Sequence, residues 1–549
     1  MPALIPFDRT SAWRLPMAAV AAALLPWLAG AGEPTPAEEP APDEPPFEER
    51  AAELRRQLAA QAAADPTGPA TLQARVALAR LLNTEAGVDC APHLDEAERE
   101  LSQVLRAGPG HLLAWPDGLG DALSLQQSIH ITRGLCAADE ASARAAFQAA
   151  IATGAQAVKA LRDNWDYDDM VIAQFNIAFA RRELGDLDAA LRDLEQVLDW
   201  DREFGLHGEL EGDYSTYLRW QRDEEPDPDE IEGFLAASSQ ARARFRFNWK
   251  PYRSVWSTTV ERSIGRNGSL QATVARYETD VTARAEGDGW IVSTTARAAP
   301  QLETTGVEAG DAGATALREL LGGVLLWMPD IVIGPDGTFR ELRDMDRFRG
   351  TLGQVLDKAL AQALPGSDAR TAEIISSTKA AVLDPELIAA TVGGQWDFTV
   401  GAWSDLELDH GDWYEATVEE PLPGISRQPV RMTWRFRLAR WLPCLEGGEP
   451  RCVEILAVVE LDPDHVREAT TAFVGRMAPA AERAKVEEAA RGVDLRLEHR
   501  YRLVTEPDTL RPWSFEERKY VYGTYPEGGR RVSRARHDRT LQTIRYPAP

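Results

Sequence analysis

Residues 173–202 read AQFNIAFARRELGDLDAALRDLEQVLDWDR, and the apolar residues of this stretch recur every three or four positions. That spacing is typical of amphipathic helices. Turn residues interrupt it at 184–186 (LGD), so the stretch predicts two helices joined by a tight turn. The small side chains of Ala178 and Ala190 would let the two helices approach closely. Helical spacing continues over residues 48–235, where strand-like alternation is nearly absent.

The same stretch resembles a tetratricopeptide repeat. It matches the family at a large–small pair in the first helix, the glycine of the turn, the small residue where the helices cross and a large residue of the second helix, which are Ile177, Ala178, Gly185, Ala190 and Leu194. It departs from the family at Arg181, where an aromatic residue is usual, at Val197, where a small residue is usual, and at Arg202, where proline is usual.

A second and more degenerate copy lies upstream, in a helix at 72–82, an insert, and LDEAERELSQVLRAGP at 94–109. Its residues in register with the second repeat helix are Ala97, Leu101, Val104 and Pro109. The resemblance implies stacked helical hairpins whose concave surface binds a peptide or a protein. A helical bundle without repeats remains the alternative.

Period-two alternation begins near residue 239 and indicates strands. The clearest strand, RMTWRFRL at 431–438, places Met432, Trp434 and Phe436 on one face and mostly arginine on the other; residues 453–461 predict its partner. Turn signals at 267–268, 287–289 and 336–337 predict antiparallel hairpins. Helical segments are predicted at 315–326, 345–364, 371–382 and 466–490.

We therefore predict a multidomain protein, with an all-α tetratricopeptide-like helical domain followed by an α+β domain that has a large curved antiparallel sheet and helices against one face. This order is similar to that of exported bacterial half-barrels that carry lipoproteins or other apolar cargo. The likeness also rests on a GPDGTF hairpin at 334–339 and on TVGGQW at 391–396, interpreted as the start of a strand. The predicted divisions are a signal peptide at 1–31, a Pro/Glu-rich linker at 32–47, the helical domain at 48–238 and the sheet domain at 239–549.

The amino-terminal residues predict export. Arg9 and Arg14 precede an apolar run at 15–28, and Ala-Gly-Ala at 29–31 fits the pattern that signal peptidase cleaves. An uncleaved anchor is the alternative. No later stretch is long and apolar enough to predict a transmembrane span. We expect a periplasmic or secreted bacterial protein.

The four cysteines fit an oxidising compartment. Of the three connectivities that four cysteines allow, we favour the two local pairs, Cys90–Cys136 and Cys444–Cys452, because each lies within one predicted domain.

The charge balance argues against a nucleic-acid partner. The 549 residues include 60 Lys and Arg against 87 Asp and Glu, a formal net charge of -27, whereas phosphate binding needs clustered cations. Residues 186–232 carry 17 acidic and 4 basic side chains. This composition fits a solvated face, or alternatively a surface that binds a cationic partner or weakly held calcium.

The last predicted strand has arginines at alternate positions, a pattern that predicts protection of an exposed sheet edge. These are Arg530, Arg531, Arg534, Arg536, Arg539 and Arg545.

No catalytic, metal or phosphate motif is found, so we expect no cofactor and no metal, and a binding protein rather than an enzyme. The first hypothesis is an exported scaffold that binds a protein partner through its helical repeats. The alternative is a carrier whose sheet encloses an apolar ligand, on a face with Met432, Trp434, Phe436, His499 and Tyr501, although these residues would serve equally as a plain core. A third hypothesis is an enzyme that uses His410 or His499.

Overall fold

The structure is a computed structural model that describes residues 45–89, 93–107, 115, 117–237, 242–266, 269–305, 328–363, 376, 379–380, 383–421, 429–445, 448, 450–477, 483–491, 493–527 and 530–547. Several predicted features lie outside the described residues. These are the signal peptide, most of the linker, Cys90, Pro109, the helix at 315–326 and most of the helix at 371–382.

The amino-terminal half is all-helical, as predicted. Successive helices pack against each other along the chain, and two apolar clusters of buried residues fill the spaces between them. The helices are α1 Phe47–Ala64, α2 Pro69–Asp89, α3 His93–Leu105, α4 Gly118–Leu135, α5 Glu140–Asp163, α6 Tyr167–Glu183, α7 Leu187–Phe204, α8 His207–Arg222 and α9 Pro228–Ala237.

Local sequence signals position the α6–α7 hairpin. The Asp166 carboxylate accepts from the Asp169 backbone at the start of α6, and the Asp186 carboxylate accepts from the Ala189 backbone at the start of α7. Gly185 forms the turn with φ +82°, a conformation that favours glycine. The predicted repeat-packing side chains of the described residues are all buried: Ile177, Ala178, Ala190, Leu194, Ala97 and Leu101.

The carboxy-terminal half contains a large antiparallel sheet of twelve strands among the described residues. The strand order is β7-β6-β4-β3-β2-β14-β13-β12-β11-β10-β9, with β5 beside β3, and β1 pairs with β8 separately. The strands are β1 Arg242–Arg244, β2 Tyr252–Arg266, β3 Ser269–Glu286, β4 Gly289–Ala296, β5 Gln301–Thr305, β6 Ile331–Ile333, β7 Phe339–Leu342, β8 Glu407–Asp409, β9 Tyr414–Pro421, β10 Pro429–Pro443, β11 Pro450–Leu461, β12 Asp494–Thr505, β13 Pro512–Glu527 and β14 Arg530–Arg545.

The sheet curls around a helix. One apolar core joins Val281 and Val292 from one end of the sheet to Met432 and Phe436 near the other end. Helix α11, Pro385–Thr399, lies between these ends and contributes Trp396 and Phe398 to the same core. We call the apolar side that faces α11 the inner face and the opposite side the outer face.

The remaining helices include one correction. The segment TVGGQW at 391–396, predicted to start a strand, is part of α11, because its Trp396 is buried in the sheet core and donates to the Gly337 carbonyl. The prediction at 345–364 is confirmed by α10, Met345–Ala363. The single helix predicted at 466–490 is two helices, α12 Pro463–Met477 and α13 Arg483–Arg491.

The prediction that β14 forms an exposed edge is wrong. Strand β14 lies inside the sheet, paired with β13 on one side and with β2 on the other. The described arginine side chains of β14 are therefore matched by acids on the same strand, on the adjacent β13 or on β3, the strand beyond β2. Arg536 pairs with Asp538, Arg539 with Glu516 and Arg545 with Glu278. The prediction of helices on one face is also incomplete, because α11 packs on the inner face and the helical half packs on the outer face.

No helix among the described residues is long and apolar enough to cross a membrane.

The predicted Cys444–Cys452 disulfide is present and joins the neighbouring ends of β10 and β11. Cys136 is also disulfide-bonded, while Cys90, its predicted partner, lies outside the described residues.

Replacing Cys444 and Cys452 together by serine should lower the free energy of unfolding. The bond closes a short loop of sequence separation 8, and for a loop of this length the chain-entropy model gives about 2.6 kcal/mol. Urea unfolding of the wild type and the double variant measures the difference. An unchanged free energy of unfolding would show that the β10–β11 register holds this turn without the bond.

Candidate functional site

The most densely charged buried region of the described chain lies where the helical half meets the outer face of β10–β13. We call this region the junction. The helical half contacts the sheet there through helix ends and turns: Asp117 before α4, residues 163–168 around the start of α6, and residues 203–205 at the end of α7.

Glu454 lies at the centre of the junction and its side chain is 0% exposed. It accepts hydrogen bonds from the Tyr167 hydroxyl at 2.6 Å, Arg440 Nε at 2.8 Å and Arg502 at 3.1 Å. Burial acts to raise the pKa of Glu454, but the adjacent Arg502 and Arg440 outweigh it, so the pKa lies below the usual value. Glu454 is therefore a fully ionised, fully buried carboxylate that joins the two halves.

Other arginines of the outer face extend this contact. Arg500 forms a two-pronged ion pair with Asp117, with distances of 2.6 and 2.5 Å. Arg437 is 1% exposed and donates to Asp168 at 2.8 Å. Arg518 donates to the Asp163 carbonyl at 2.7 Å and its guanidinium lies 3.9 Å from the centre of the Trp165 ring. Paired arginine geometry of this kind gives orientation as well as energy.

His410 belongs to the junction. Its Nε2 lies 3.0 Å from the Glu203 carbonyl of α7 and 3.2 Å from the Ala439 carbonyl of β10. Next to it, Gly205 and Gly411 touch backbone to backbone, and a Cβ on Gly411 would overlap the Gly205 carbonyl. The imidazole that sequence reasoning offered as a catalytic group thus bridges two carbonyls across the junction.

Three carboxyl groups border the junction. Oxygen atoms of Asp121, Asp166 and Asp169 all lie within 4.8 Å of one another. Burial, together with the neighbouring acids, raises the pKa of Asp121 to about 6 and that of Asp166 to about 7. Such a group takes up either protons or a cation.

The residues predicted to form a ligand face are brought together on the inner face. Met432, Trp434 and Phe436 alternate along β10, and the register places His499 and Tyr501 two strands away. The ring of Phe398 from α11 stacks on Tyr501 at 3.7 Å and on Trp434 at 5.0 Å between ring centres. A protein side chain thus occupies the space in front of these rings.

His499 is held as a neutral imidazole. Its Nδ1 lies 3.1 Å from the Tyr501 hydroxyl, and Lys519 lies on the neighbouring strand directly opposite. Burial lowers the pKa of His499 to about 3, and Lys519 adds to the effect. An imidazole with so low a pKa is a weak general base near neutral pH.

Sequence reasoning did not find the junction. The arginines of RMTWRFRL were predicted only to share one face of the strand, yet Arg437 is among the most buried side chains of the described chain. The signal that could have revealed it is charge of both signs on one strand face, with Glu454 of β11 beside Arg440 of β10 and Arg502 of β12.

Comparison with known proteins identifies no family. No family model and no curated protein matches the chain. Among solved structures, a structure describing lipid–protein interactions in lipovitellin aligns with 9% identity and a TM-score of 0.21, over 55% of this chain and 26% of that one. OccK11 (OpdR) of Pseudomonas aeruginosa aligns with 8% identity and a TM-score of 0.14, over 55% of this chain and 99% of that one. Similarity this low supports no conclusion about fold or function.

Replacing Glu454 by glutamine should strongly destabilise the protein. Two partly buried guanidinium groups would lose the fully buried carboxylate between them, and breaking a buried pair costs about 3–5 kcal/mol. Glu460 on the same strand provides the matched control, because it pairs with Arg435 near the surface, where a pair contributes roughly 0–1 kcal/mol. Denaturant unfolding of E454Q and E460Q measures both effects. Equal losses would contradict the central role of Glu454.

Replacing Asp166 by asparagine should stabilise the protein above neutral pH. The folded-state pKa of Asp166 is raised to about 7, against about 3.9 in an unfolded chain, so wild-type stability falls as the pH rises through this range. At about 1.4 kcal/mol for each pKa unit, the gain at pH 8 should be about 4 kcal/mol, and it should become small near pH 4.

Asp139 provides a control for this change, because it also caps a helix but is exposed, with a pKa lowered by its bonds to Ser142. D139N should therefore show the opposite trend, with a loss that develops as the pH rises toward the unfolded-state pKa of about 3.9 and stays nearly constant above it. Thermal unfolding from pH 4 to 8 distinguishes the two. A pH-independent effect of D166N would contradict the assignment.

Proposed function

We propose that this chain is an exported, non-enzymatic scaffold that binds a protein partner on its helical half. The observation that carries the proposal is a stripe of apolar side chains on α6 and α8 that ends at one exposed residue. Ile172 is 47% exposed, Phe175, on the next turn, is half-buried, and Trp220 of α8 is buried.

The stripe lies on the helices that come first in successive hairpins. Helix α6 lies beside α4, where Gln127 donates to the Ala173 carbonyl at 2.9 Å. It also lies beside α8, where Trp220 contacts Phe175 with ring centres 6.3 Å apart and Arg182 covers the Trp220 ring. In tetratricopeptide-like arrays these first helices line the concave surface that receives a partner.

The composition of the stripe fits a protein ligand. Aromatic and arginine side chains are enriched at the energetic centres of protein interfaces. The stripe combines Ile172, Phe175 and Trp220 with Arg182. The junction uses helix ends and turns for its contacts, so the sheet orients the helical half without using the Ile172 position.

The carrier hypothesis has less support. The aromatic residues that would line an apolar ligand site pack directly on Phe398. Among the described residues, neither histidine of the enzyme hypothesis has catalytic geometry. His410 Nε2 lies against two backbone carbonyls, and the His499 imidazole is neutral.

The test compares two exposed apolar side chains. I172E places a charge on the proposed binding surface, and L187E does the same at Leu187 on α7, which is 41% exposed. Proteins that co-purify with the wild type from the exported fraction of the source organism are identified by mass spectrometry. The affinity of each is then measured with all three chains.

We expect one partner whose Kd rises at least tenfold with I172E and stays unchanged with L187E; a tenfold change corresponds to about 1.4 kcal/mol. Equal binding by all three chains, or no partner at all, would contradict the proposal. Native mass spectrometry of the same preparations tests the alternative, because a small apolar mass lost on denaturation would favour a carrier.

A further inference from the structure

Asp201 is a buried acid with no donor. Asp201 is 0% exposed, and among the described residues no hydrogen-bond donor reaches either of its carboxylate oxygens. An ionised carboxylate buried without a donor or a counter-charge is strongly disfavoured, so such a group becomes neutral or acquires a partner. The chain must therefore supply a proton or a cation at this position.

The neighbour of Asp201 is a second acid. The Asp213 carboxyl of α8 is close enough to the Asp201 carboxyl of α7 to raise the pKa of Asp201 through its charge and through an interaction between the two side chains. Two ionised carboxylates are both acceptors and cannot hydrogen bond to each other. A proton on one of them supplies the missing donor, and the pair then forms a short bond of the kind seen when acids share a site.

We propose that Asp201 and Asp213 share one proton, and that this shared proton makes the α7–α8 contact, and the part of the junction beside it, sensitive to pH. The proposal is independent of the proposed partner surface, because neither residue belongs to the stripe at Ile172.

The surrounding charges favour retention of the proton. Glu209 of α8 adds negative charge near both acids. Arg202 is the neighbouring cation, but its guanidinium lies over the Phe234 ring at 4.2 Å and 3.7 Å from Asp199. Burial, followed by the charge of the partner acid and of Glu209, raises the pKa of Asp201; burial also raises the pKa of Asp213.

The pair lies beside the junction. Two residues after Asp201, the Glu203 side chain pairs with Arg440 of the sheet. The Glu203 backbone carbonyl lies 3.0 Å from His410 Nε2. Phe204 stacks on Tyr167, with ring centres 4.0 Å apart. Gly205, with φ +69°, ends α7 and touches Gly411. Loss of the shared proton would place two repelling charges at the base of this turn.

The direction of the pH effect follows from the raised pKa values. The folded chain holds the proton at a pH where the unfolded chain has released it, so stability is present at low pH and is lost as the pH rises. D201N imitates the protonated acid, because its amide donates to Asp213 at every pH. Its advantage over the wild type should therefore grow with pH.

The experiment measures thermal unfolding of wild type, D201N, D213N and E211Q from pH 5 to pH 9 in the presence of EDTA. Glu211 is an exposed acid on α8, and its substitution is the control for charge alone. We expect D201N and wild type to have the same Tm at pH 5, and D201N to be higher by several degrees at pH 9, with E211Q showing no such trend. D213N should show the same sign if D201N folds poorly.

Infrared difference spectroscopy provides a second readout, because a shared proton gives a protonated carboxyl C=O band at pH 7 that D201N lacks. A Tm difference between D201N and wild type that does not change with pH, together with absence of that band, would overturn the proposal. So would calcium or magnesium raising the Tm of the wild type but not of D201N, since the pair would then hold a cation instead of a proton.

Discussion

The structure depends on one buried carboxylate, that of Glu454, which bonds to two arginines of its own sheet and to a tyrosine of the other half. A charge removed from water in this way is tolerated only when its partners are fixed in place. Arg440 and Arg502 come from the strands on either side of β11, so the register of three strands sets the site. Tyr167 opens α6, so the orientation of the helical half is fixed by the same group.

The two faces of the sheet make different kinds of contact. The inner face is apolar, curls around α11 and forms the main core through rings such as Phe398 and Tyr501. The outer face is charged, and arginines such as Arg500 and Arg437 pair there with acids of the helical half. Apolar burial supplies most of the stability, whereas paired charges supply a defined orientation. The scaffold function that we propose would need both, because a partner surface must be presented in one direction.

The sequence predicts those features that arise from neighbouring residues. The α6–α7 hairpin follows from helical spacing and from Gly185, and the Cys444–Cys452 turn follows from two adjacent strands.

The sequence did not predict the features that depend on pairing between distant parts of the chain. Strand β14 is interior because it meets β2, which is remote in the chain, and 391–396 is helical because Trp396 fills the sheet core. Arginines on one strand face give the same pattern whether water or another domain covers them, so the pattern did not reveal that Arg437 and Glu454 are buried. The sequence likewise could not predict the surface around Ile172, because that surface depends on how α4, α6 and α8 pack side by side.

The central claim is that the junction makes the two halves one cooperative unit. Hydrogen–deuterium exchange at increasing denaturant, resolved by mass spectrometry of peptides, tests it most directly. Peptides from α6, which carries Tyr167, and from β11, which carries Glu454, should lose protection at the same denaturant concentration at neutral pH. If α6 loses protection at clearly lower denaturant while β11 stays protected, the halves unfold independently, and the buried charges of the junction do not couple them.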